Sequence, residues 1–398
     1  MTRIEINNEV DSLYFKYNNV LLTWATGCGK SQAAIRKIKT LQDGSNILIC
    51  VAEIAHIKNW QREFQRWGVP AGINIKIICY ASIVKYKDTN WDLIILDECH
   101  HIATDIRIDA LKDIHANCVI ALSATVSKDT KDALQYLYGY FYEFKISMQD
   151  AINWNILPTP KIYLVPLQLD NSKADQTYTV KWGKAGLRKK ITCSMQKRWD
   201  YMKDKQTYPN VELNVKCTEA EKYALLTERF EFNKKRYMMT NNEAVKNMWM
   251  MSGSERKRFL GETKTRFAKQ IIDKYLNGYR HIVFCTDILQ ADILGGKNAI
   301  HSGVGWAQTK IAEFNMGKTN SIYAVNMLQE GVNLANIEKG MIIQLDGVER
   351  AFIQKFGRTL RAEEPEIYVL YFMGTRDEDY LNNALYGINK DYITTLKI

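Results

Sequence analysis

Residues 20–41 read VLLTWATGCGKSQAAIRKIKTL, and this stretch decides the fold. It opens with a short apolar run at residues 20–23, of the kind that forms a buried strand. A glycine-containing loop follows, and residues 32–41 then repeat apolar side chains at helical spacing. A strand, a short loop and a helix in this order form the unit from which parallel α/β sheets are built.

The loop at residues 24–31 predicts a phosphate-binding site. Gly27 and Gly29 permit a tight turn in which successive backbone N–H groups point at a phosphate. Lys30 can reach the β- and γ-phosphates of a nucleotide, and the Ser31 hydroxyl can ligate Mg²⁺ at the positive end of the helix. Cys28 is either a thiol made reactive by the helix N-terminus or a small residue that fits the turn. The predicted nucleotide-binding residues are Thr26, Gly27, Cys28, Gly29, Lys30 and Ser31.

The alternation of strand and helix recurs in two parts of the chain, which predicts an α/β fold with two parallel-sheet domains. The first set of predicted strands is 20–23, 46–51, 75–79, 93–96 and 118–122. The second set is 281–285, 298–301, 321–325, 341–345 and 367–372, and residues 161–169 can add an early strand. Pro158 and Pro160 suit an extended linker between them. We therefore predict domains at residues 1–157 and 158–398, with a basic, largely helical insertion at about 170–262 and helices over 219–239 and 263–276.

A pair of carboxylates ends one predicted strand. Residues 93–96 read LIIL, and Asp97 and Glu98 follow at the carboxyl end, where open α/β sheets place their ligands. Asp97 can hold Mg²⁺, while Glu98 can orient and deprotonate an attacking water. An isolated Asp-Glu pair is usually a solvated turn, but the buried strand before it and Lys30 upstream favour a site.

Residues 97–100 read DECH and resemble the box that names the DEAD/DEAH helicases of superfamily 2. Residues 123–125 read SAT and resemble the third motif of that superfamily. The resemblance implies two RecA-like domains that bind ATP and Mg²⁺ between them. It also implies that His100, Ser123 and Thr125 couple hydrolysis to nucleic-acid binding.

Residues 354–361 read QKFGRTLR and resemble the sixth motif of the superfamily. The resemblance implies that Arg358 and Arg361 reach across the cleft to the γ-phosphate and that Gln354 belongs to the catalytic set. Residues three apart share a helix face, so both guanidinium groups can point at one anion. Arginine stabilisation of the transferring phosphoryl group is worth roughly 10³–10⁵ in rate.

Four further segments resemble motifs of the same superfamily. Residues 330–334 read EGVNL and resemble the fifth motif, which implies nucleotide contacts by Gly331 and Asn333, the latter standing where an aspartate is common. Thr286 and His301 end predicted strands that contact the nucleic-acid backbone in this superfamily. Residues 52–60, which include His56 and Trp60, occupy the strand-binding position that follows the second strand, or form a segment that caps the sheet.

The sequence departs from the family upstream of the phosphate loop. The family places there a glutamine that reads adenine, whereas no glutamine precedes Gln32 in this chain. The sequence therefore leaves the choice of nucleotide base open. Trp24 or Tyr14 can stack on the base in place of that contact, or simply pack in the core.

Basic residues are concentrated in one region of the chain, whose formal net charge is +10. Residues 171–280 hold 25 Lys and Arg against 12 Asp and Glu, whereas the rest of the chain holds 29 against 32. This distribution predicts a nucleic-acid partner, with a solvated basic face as the alternative. The basic residues expected to contact nucleic acid are Arg188, Lys189, Lys190, Arg256, Lys257 and Arg258. The nearby Met238, Met239, Met248, Trp249, Met250 and Met251 can form an apolar wedge or pack a helical subdomain.

Cysteine usage and hydropathy define the expected setting. The eight cysteines include no Cys-x-x-Cys pair, which argues against zinc and for reduced thiols in a cytosol. No segment approaches the roughly 20 apolar residues that a membrane helix needs. We expect a monomer in bacterial or infected-host cytoplasm, without a membrane partner, and the sequence identifies no protein partner.

Together these features predict a nucleic-acid-dependent ATPase of helicase superfamily 2, a DNA helicase that unwinds or remodels forked or branched DNA. Its predicted catalytic residues are Lys30, Glu98, Gln354, Arg358 and Arg361. DNA is preferred over RNA because the compact form resembles phage helicases and the motor subunits of type III restriction enzymes. Three alternatives stay open: a duplex translocase that does not separate strands, an RNA helicase, and a binding switch in which ATP controls affinity for nucleic acid.

Overall fold

The computed structural model describes residues 1–398 apart from 304, 326–333, 335, 346–361, 387 and 398. The first sheet contains strands β1 (Asn19–Trp24), β2 (Asn46–Val51), β3 (Asn74–Cys79), β4 (Thr89–Asp97), β5 (Ile114–Ser123) and β6 (Tyr142–Ile146). The helices that accompany it are α1 (Arg3–Lys16), α2 (Lys30–Ile38), α3 (Ile54–Trp67), α4 (Asp105–Leu111), α5 (Lys128–Tyr138) and α6 (Met148–Asn153). All six strands are parallel, in the order β3-β2-β4-β5-β1-β6.

Both faces of this sheet are buried. Leu22 packs in one hydrophobic cluster with residues of α1, α2, α3 and α6, whereas its neighbour Leu21 packs in another with residues of α4 and α5. Successive strand residues point to opposite faces, so helices on both sides explain why the strands read as continuous apolar runs. Each apolar run predicted in this half from the sequence corresponds to one strand of the sheet.

The remaining strands are β7 (Lys161–Leu167), β8 (Gln176–Trp182), β9 (Lys189–Ser194), β10 (Val211–Cys217), β11 (His281–Phe284), β12 (Ala299–Ile300), β13 (Ser321–Ala324), β14 (Lys339–Ile342), β15 (Glu366–Phe372) and β16 (Ile393–Thr395). The remaining described helices are α7 (Arg198–Lys203), α8 (Glu219–Thr240), α9 (Glu243–Thr263), α10 (Thr265–Ile271), α11 (Ile288–Gly295), α12 (Ala307–Asn315) and α13 (Arg376–Ala384). A π turn at Ile272–Leu276 extends α10. Seven of these strands form a second parallel sheet in the order β12-β13-β11-β14-β15-β7-β16.

The chain between β7 and β11 forms a smaller unit of its own. Its three-stranded sheet has the order β8-β10-β9, with β8 antiparallel and β9 parallel to β10. Helices α8 and α9 follow as a long hairpin. The helices agree with the predicted character of this segment, but the sheet was not predicted. Its central strand buries Val211, Leu213 and Val215 at a spacing of two, a strand signal that the basic residues around it obscured.

A buried polar cluster joins the end of this unit to the second sheet. Lys264, between α9 and α10, lies 2.6 Å from Asp377 at the start of α13, and neither side chain is exposed. Gln344 accepts a hydrogen bond from Lys264 Nζ at 2.8 Å and donates one to Asp377 Oδ1 at 2.7 Å. Burial lowers the pKa of Lys264, while the carboxylate opposes that shift. The cluster therefore holds the α9–α10 junction, the chain after β14 and the start of α13 around one desolvated ion pair.

Described helices offer no candidate for crossing a membrane, because none combines sufficient length with sufficient apolar character.

Lys264→Met should destabilise the fold by about 3–5 kcal/mol, because it leaves the Asp377 carboxylate buried without its counter-ion. The double variant Lys264→Met/Asp377→Leu should recover most of that loss, since it removes both charges. Urea unfolding followed by circular dichroism measures both values. If Lys264→Met is as stable as the wild type, Lys264 is not the counter-ion that stabilises Asp377.

Candidate nucleotide-binding site

The phosphate-binding loop has the conformation that its glycines allow. Gly27 and Gly29 both adopt φ of 93°, which side-chain-bearing residues rarely adopt. Gly29 also precedes the first turn of α2, and no side chain caps that helix start. The first N–H groups of α2 are therefore available to an anion. Lys30 Nζ donates to the Trp24 carbonyl oxygen at 2.9 Å, which holds the ammonium group over the loop.

Two aromatic residues near the loop are buried. Trp24 is 1% exposed and meets Phe144 edge to face at 5.5 Å between ring centroids. Tyr14 is buried as well, and its hydroxyl donates to the Ala33 carbonyl oxygen at 3.1 Å. Neither ring is presented to a nucleotide base, so of the two roles left open by the sequence the structure supports packing.

Cys28 is also a packing residue. Its side chain is buried, and burial raises the pKa of the thiol to about 11 although Lys30 and Arg3 act in the opposite direction. The thiol is therefore protonated at neutral pH. This corrects the alternative of a reactive thiolate at the helix start, because desolvation outweighs the nearby positive charges.

The sheet brings the loop and the carboxylate pair to one edge. Strands β1, β5 and β4 are neighbours, with Thr23 opposite Ser123 and Asp97 opposite Leu122. All three run parallel, so the loop after β1, Ser123 and Asp97 lie at the same edge. The spacing of adjacent strands places β1 and β4 about 10 Å apart, a distance that a triphosphate with its metal can span.

Asp97 is oriented by its neighbours. The Trp60 indole Nε1, from α3, donates to Asp97 Oδ2 at 2.8 Å, and the backbone N–H of Glu98 lies 3.1 Å from Oδ1. The Tyr80 hydroxyl donates to the Asp97 backbone oxygen at 3.0 Å. No group of three His, Cys, Asp or Glu able to hold a metal occurs in the described part of the chain. One carboxylate and a serine hydroxyl suit Mg²⁺, which takes few protein ligands and retains water and phosphate oxygens.

Glu98 has an unusual backbone. Its φ of 49° lies in the left-handed region, where a glutamate costs about 1–3 kcal/mol unless its surroundings enforce it. The short 3-10 turn that follows, Cys99–Ile102, begins at this residue. Strain of this kind concentrates at functional sites, where it aims a side chain.

His100, Ser123 and Thr125 are brought together by the fold. His100 Nδ1 lies 3.1 Å from Ser123 Oγ and 3.4 Å from Glu98 Oε2. Ser123 Oγ donates its proton to the Thr125 carbonyl oxygen at 2.7 Å. Because the Ser123 proton is used in this bond, Nδ1 of His100 carries a proton and donates it to the Ser123 hydroxyl. A chain of close polar contacts thus runs from Glu98 through His100 and Ser123 to the segment after β5.

Two residues near the site were not identified from the sequence. Trp60 belonged to the segment read as strand-binding or sheet-capping, and only the fold brings its indole to Asp97. Arg3, from α1, donates from Nη1 to the Cys28 carbonyl oxygen at 3.4 Å and from Nη2 to the Ile156 carbonyl oxygen at 3.5 Å. It connects the phosphate loop to the segment before β7, and no sequence motif marks it.

The second half of the predicted site lies outside the described residues. This holds for Gly331, Asn333, Gln354, Arg358 and Arg361. Their roles stay predictions from the sequence.

Three residues predicted to contact nucleic acid have their polar atoms occupied or buried. His301 bonds Asp292 Oδ1 through Nε2 at 3.0 Å and accepts the Gly303 N–H at Nδ1, 3.2 Å away. His56 is buried within α3. Arg256 is buried too, with its guanidinium 4.2 Å from the Phe230 ring centroid. The structure corrects the expectation of direct contact at these positions, because the side chains pack inside the protein.

The other predicted nucleic-acid residues are placed differently. Arg188 is half-buried and donates to the carbonyl oxygens of Trp182 and Gly183, whereas Lys189 and Lys190 are exposed on β9. Arg258 is exposed and Lys257 is half-buried. Thr286 follows β11 and packs against Gly261. A Cβ atom added at position 261 would lie 2.2 Å from Thr286 Oγ1. The lysines and Arg258 therefore keep the accessibility that a phosphate contact needs.

Trp60→Phe should raise the Mg²⁺ concentration needed for half-maximal nucleotide hydrolysis about ten-fold, because a hydrogen bond to a charged group is worth about 1.5–3 kcal/mol. The rate at saturating Mg²⁺ should change less. A Mg²⁺ titration of the hydrolysis rate measures both.

Trp67→Phe is the matched control, since the Trp67 indole donates to Glu63 at 2.7 Å on the same helix. If both variants raise the half-maximal Mg²⁺ concentration equally, Trp60 acts by stabilising α3 and not by orienting Asp97.

Comparison with known proteins identifies the fold. No protein-family model matches the chain, and no curated protein matches it. The chain is similar to the helicase domain of Hef from Pyrococcus furiosus, with 14% identity, a TM-score of 0.49, and coverage of 95% of this chain and 96% of that one. It is also similar to a variant of Dbp5 from Saccharomyces cerevisiae, bound to a Gle1 variant and IP6, with 12% identity, a TM-score of 0.53, and coverage of 96% and 85%. The second similarity, together with the two parallel sheets, confirms the predicted fold class of two RecA-like α/β domains.

Proposed function

We propose that this chain is a nucleic-acid-dependent ATPase of helicase superfamily 2, with DNA as its preferred substrate. The observation that carries the proposal is the shared edge of β1, β5 and β4, where Lys30, Ser123 and the Asp97-Glu98 pair are assembled. The DECH box and the sixth-motif resemblance support the family, and the basic region supports the nucleic-acid partner. Preference for DNA over RNA rests on the resemblance to phage helicases and type III restriction motors.

The residues of the first domain have separable roles in this proposal. The N–H groups of the loop and Lys30 bind the phosphates, and Ser31 and Asp97 hold the metal. A metal held there would supply positive charge that offsets the negative charge of the transferring phosphoryl group. Glu98 receives the proton of the attacking water, and its strained backbone keeps the carboxylate at the metal edge.

The path from Glu98 through His100 and Ser123 offers a route by which hydrolysis changes the grip on nucleic acid. His100 contacts Glu98 on one side and hydrogen-bonds Ser123 on the other, so a shift of Glu98 would be passed to Ser123. Arg358 and Arg361 are proposed to complete the site from the second domain. Opening and closing of the cleft between the domains would then alternate the contacts to nucleic acid.

Glu98→Gln should reduce the rate of stimulated ATP hydrolysis by roughly 10²–10⁴-fold, the usual contribution of a general base, and should retain nucleotide binding. Lys30→Ala should instead weaken nucleotide binding. Steady-state hydrolysis and equilibrium binding of a fluorescent nucleotide separate the two. Full turnover by Glu98→Gln would contradict the assignment of the base.

A panel of single-stranded, duplex and forked DNA, with RNA counterparts, decides among the alternatives. Fork displacement driven by ATP supports the DNA helicase. Stimulation by duplex DNA without displacement indicates a translocase, and preference for the RNA arms indicates an RNA helicase. ATP-dependent binding without stimulated turnover indicates a switch.

His100→Ala should retain at least part of the basal hydrolysis but lose most of its stimulation by nucleic acid, because the link from Glu98 to Ser123 is broken. His115→Ala is the control, because His115 is an exposed histidine on the same strand as Ser123. The ratio of stimulated to basal rate is the measurement. A ratio equal to that of the wild type would exclude His100 from coupling.

A further inference from the structure

The hairpin of α8 and α9 is a long, well-anchored projection. The two helices contain 22 and 21 residues, which corresponds to a length of about 33 Å. Asn241 turns the chain with a left-handed φ of 45°, and the Asn242 side chain caps α9. At the other end, Arg266 makes two hydrogen bonds to Glu219, the first residue of α8. The base is thereby fixed, and the turn at 241–242 marks the distal end.

The seam between the two helices is filled by aromatic and small residues. Trp249 stacks on Tyr237 with 5.6 Å between ring centroids and lies 6.1 Å from Phe230. Val245 is buried between the helices, and Asn233 donates to the Met248 carbonyl oxygen at 3.4 Å. Trp249 therefore packs the subdomain, as one reading of the sequence expected, and the seam does not use the methionine side chains.

The methionines lie outside this seam. Six large apolar side chains of the distal half are between 46% and 72% exposed: Phe232, Met238, Met239, Met248, Met250 and Met251. Phe232 and Met239 are seven residues apart on α8, and Met248 and Met251 are three apart on α9, so each pair shares a helix face. Large apolar side chains exposed in pairs on one helix face offer a surface that a partner can cover. Methionine suits such a surface because its flexible thioether adapts to flat or irregular partners.

Positive charge accompanies these apolar residues. Residues 232–251 contain Lys234, Lys235, Arg236 and Lys246, against a single acidic residue, Glu243. Lysine is depleted at the cores of protein interfaces, so this mixture does not favour a protein partner. Nucleic acid presents flat apolar bases a few ångströms from phosphates, and interleaved apolar and basic side chains match that chemistry.

An intact duplex stacks its bases and hides their faces. Base faces are accessible in single strands and at the last pair of a duplex, where apolar side chains can pack on the exposed ring. An elongated hairpin with apolar side chains near its turn is suited to reach such a point, while its lysines contact the flanking phosphates.

We propose that the distal end of the α8–α9 hairpin binds the junction between duplex and single-stranded nucleic acid, with Met239, Met248 and Met251 against the terminal base pair. This inference rests on the proposed function and specifies the part of the substrate that the insertion contacts.

The test replaces Met239, Met248 and Met251 together by glutamine, which has a good helix propensity and similar length. Fluorescence anisotropy at fixed salt compares binding of the full chain to forked, blunt duplex and single-stranded DNA, with RNA forks as a second arm. The triple variant should lose at least ten-fold in preference for the fork over the blunt duplex. A 2-aminopurine at the last base pair should respond to the wild type and not to the variant.

Met316→Gln is the matched control, because Met316 is comparably exposed and follows α12, outside the hairpin. Lys235→Glu/Arg236→Glu should weaken binding to every substrate and lower the salt slope, since phosphate contacts carry no preference for the junction. Circular dichroism and basal hydrolysis without nucleic acid verify that each variant is folded.

Unchanged fork preference and an unchanged 2-aminopurine signal in the triple variant would overturn the inference. So would a wild-type chain that self-associates in sedimentation while the variant does not, since the surface would then join two copies. A wild type whose hydrolysis responds to no nucleic acid would defeat the proposed function. Stimulated hydrolysis with a normal fork preference in the triple variant would defeat the hairpin assignment alone.

Discussion

The parallel alignment of β1, β5 and β4 is the constraint on which the candidate site depends. Parallel strands end at one edge, so the loop that starts α2 and the carboxylates after β4 must face the same space. Burial of both faces by helices holds that alignment, because strands with apolar side chains on both sides have no face to present to water. The glycines then let the backbone itself supply the anion-binding groups, and the lysine and carboxylates add charge at fixed positions.

At that edge, hydrogen bonds orient the side chains that the strands bring together. The Trp60 indole fixes one oxygen of Asp97, and His100 lies between Glu98 and Ser123. The contacts of Trp60 with Asp97 and of His100 with Ser123 join residues distant in the sequence, so movement of α3 or of the chain after β5 would shift the carboxylates. This gives the proposed motor a physical basis for coupling, since it links Asp97 to helix α3 and Glu98 to the turn after β5.

The insertion combines a rigid attachment with an accessible end. Lys264, Gln344 and Asp377 bury charge at its junction with the second sheet, and Arg266 holds the first turn of α8. Toward its turn the hairpin instead exposes methionines beside lysines. The contacts at the base position the hairpin. The exposed apolar side chains near its turn are available to a partner.

The sequence by itself determined the α/β class, the strands of both parallel sheets other than β6 and β16, the glycine loop before α2 and the Asp97-Glu98 pair, because these depend on local periodicity and on residues adjacent in the chain. It could not predict the three-stranded sheet of the insertion, whose strands mix lysine and threonine with buried residues, or the contact of Trp60 with Asp97, which joins separate elements. Nor could it separate Arg256, buried on Phe230, from the exposed Arg258, or Trp249 in the seam from the methionines outside it. Only the tertiary structure decided those, because burial depends on which helix face meets a neighbour, and residues two positions apart on a helix point in nearly opposite directions.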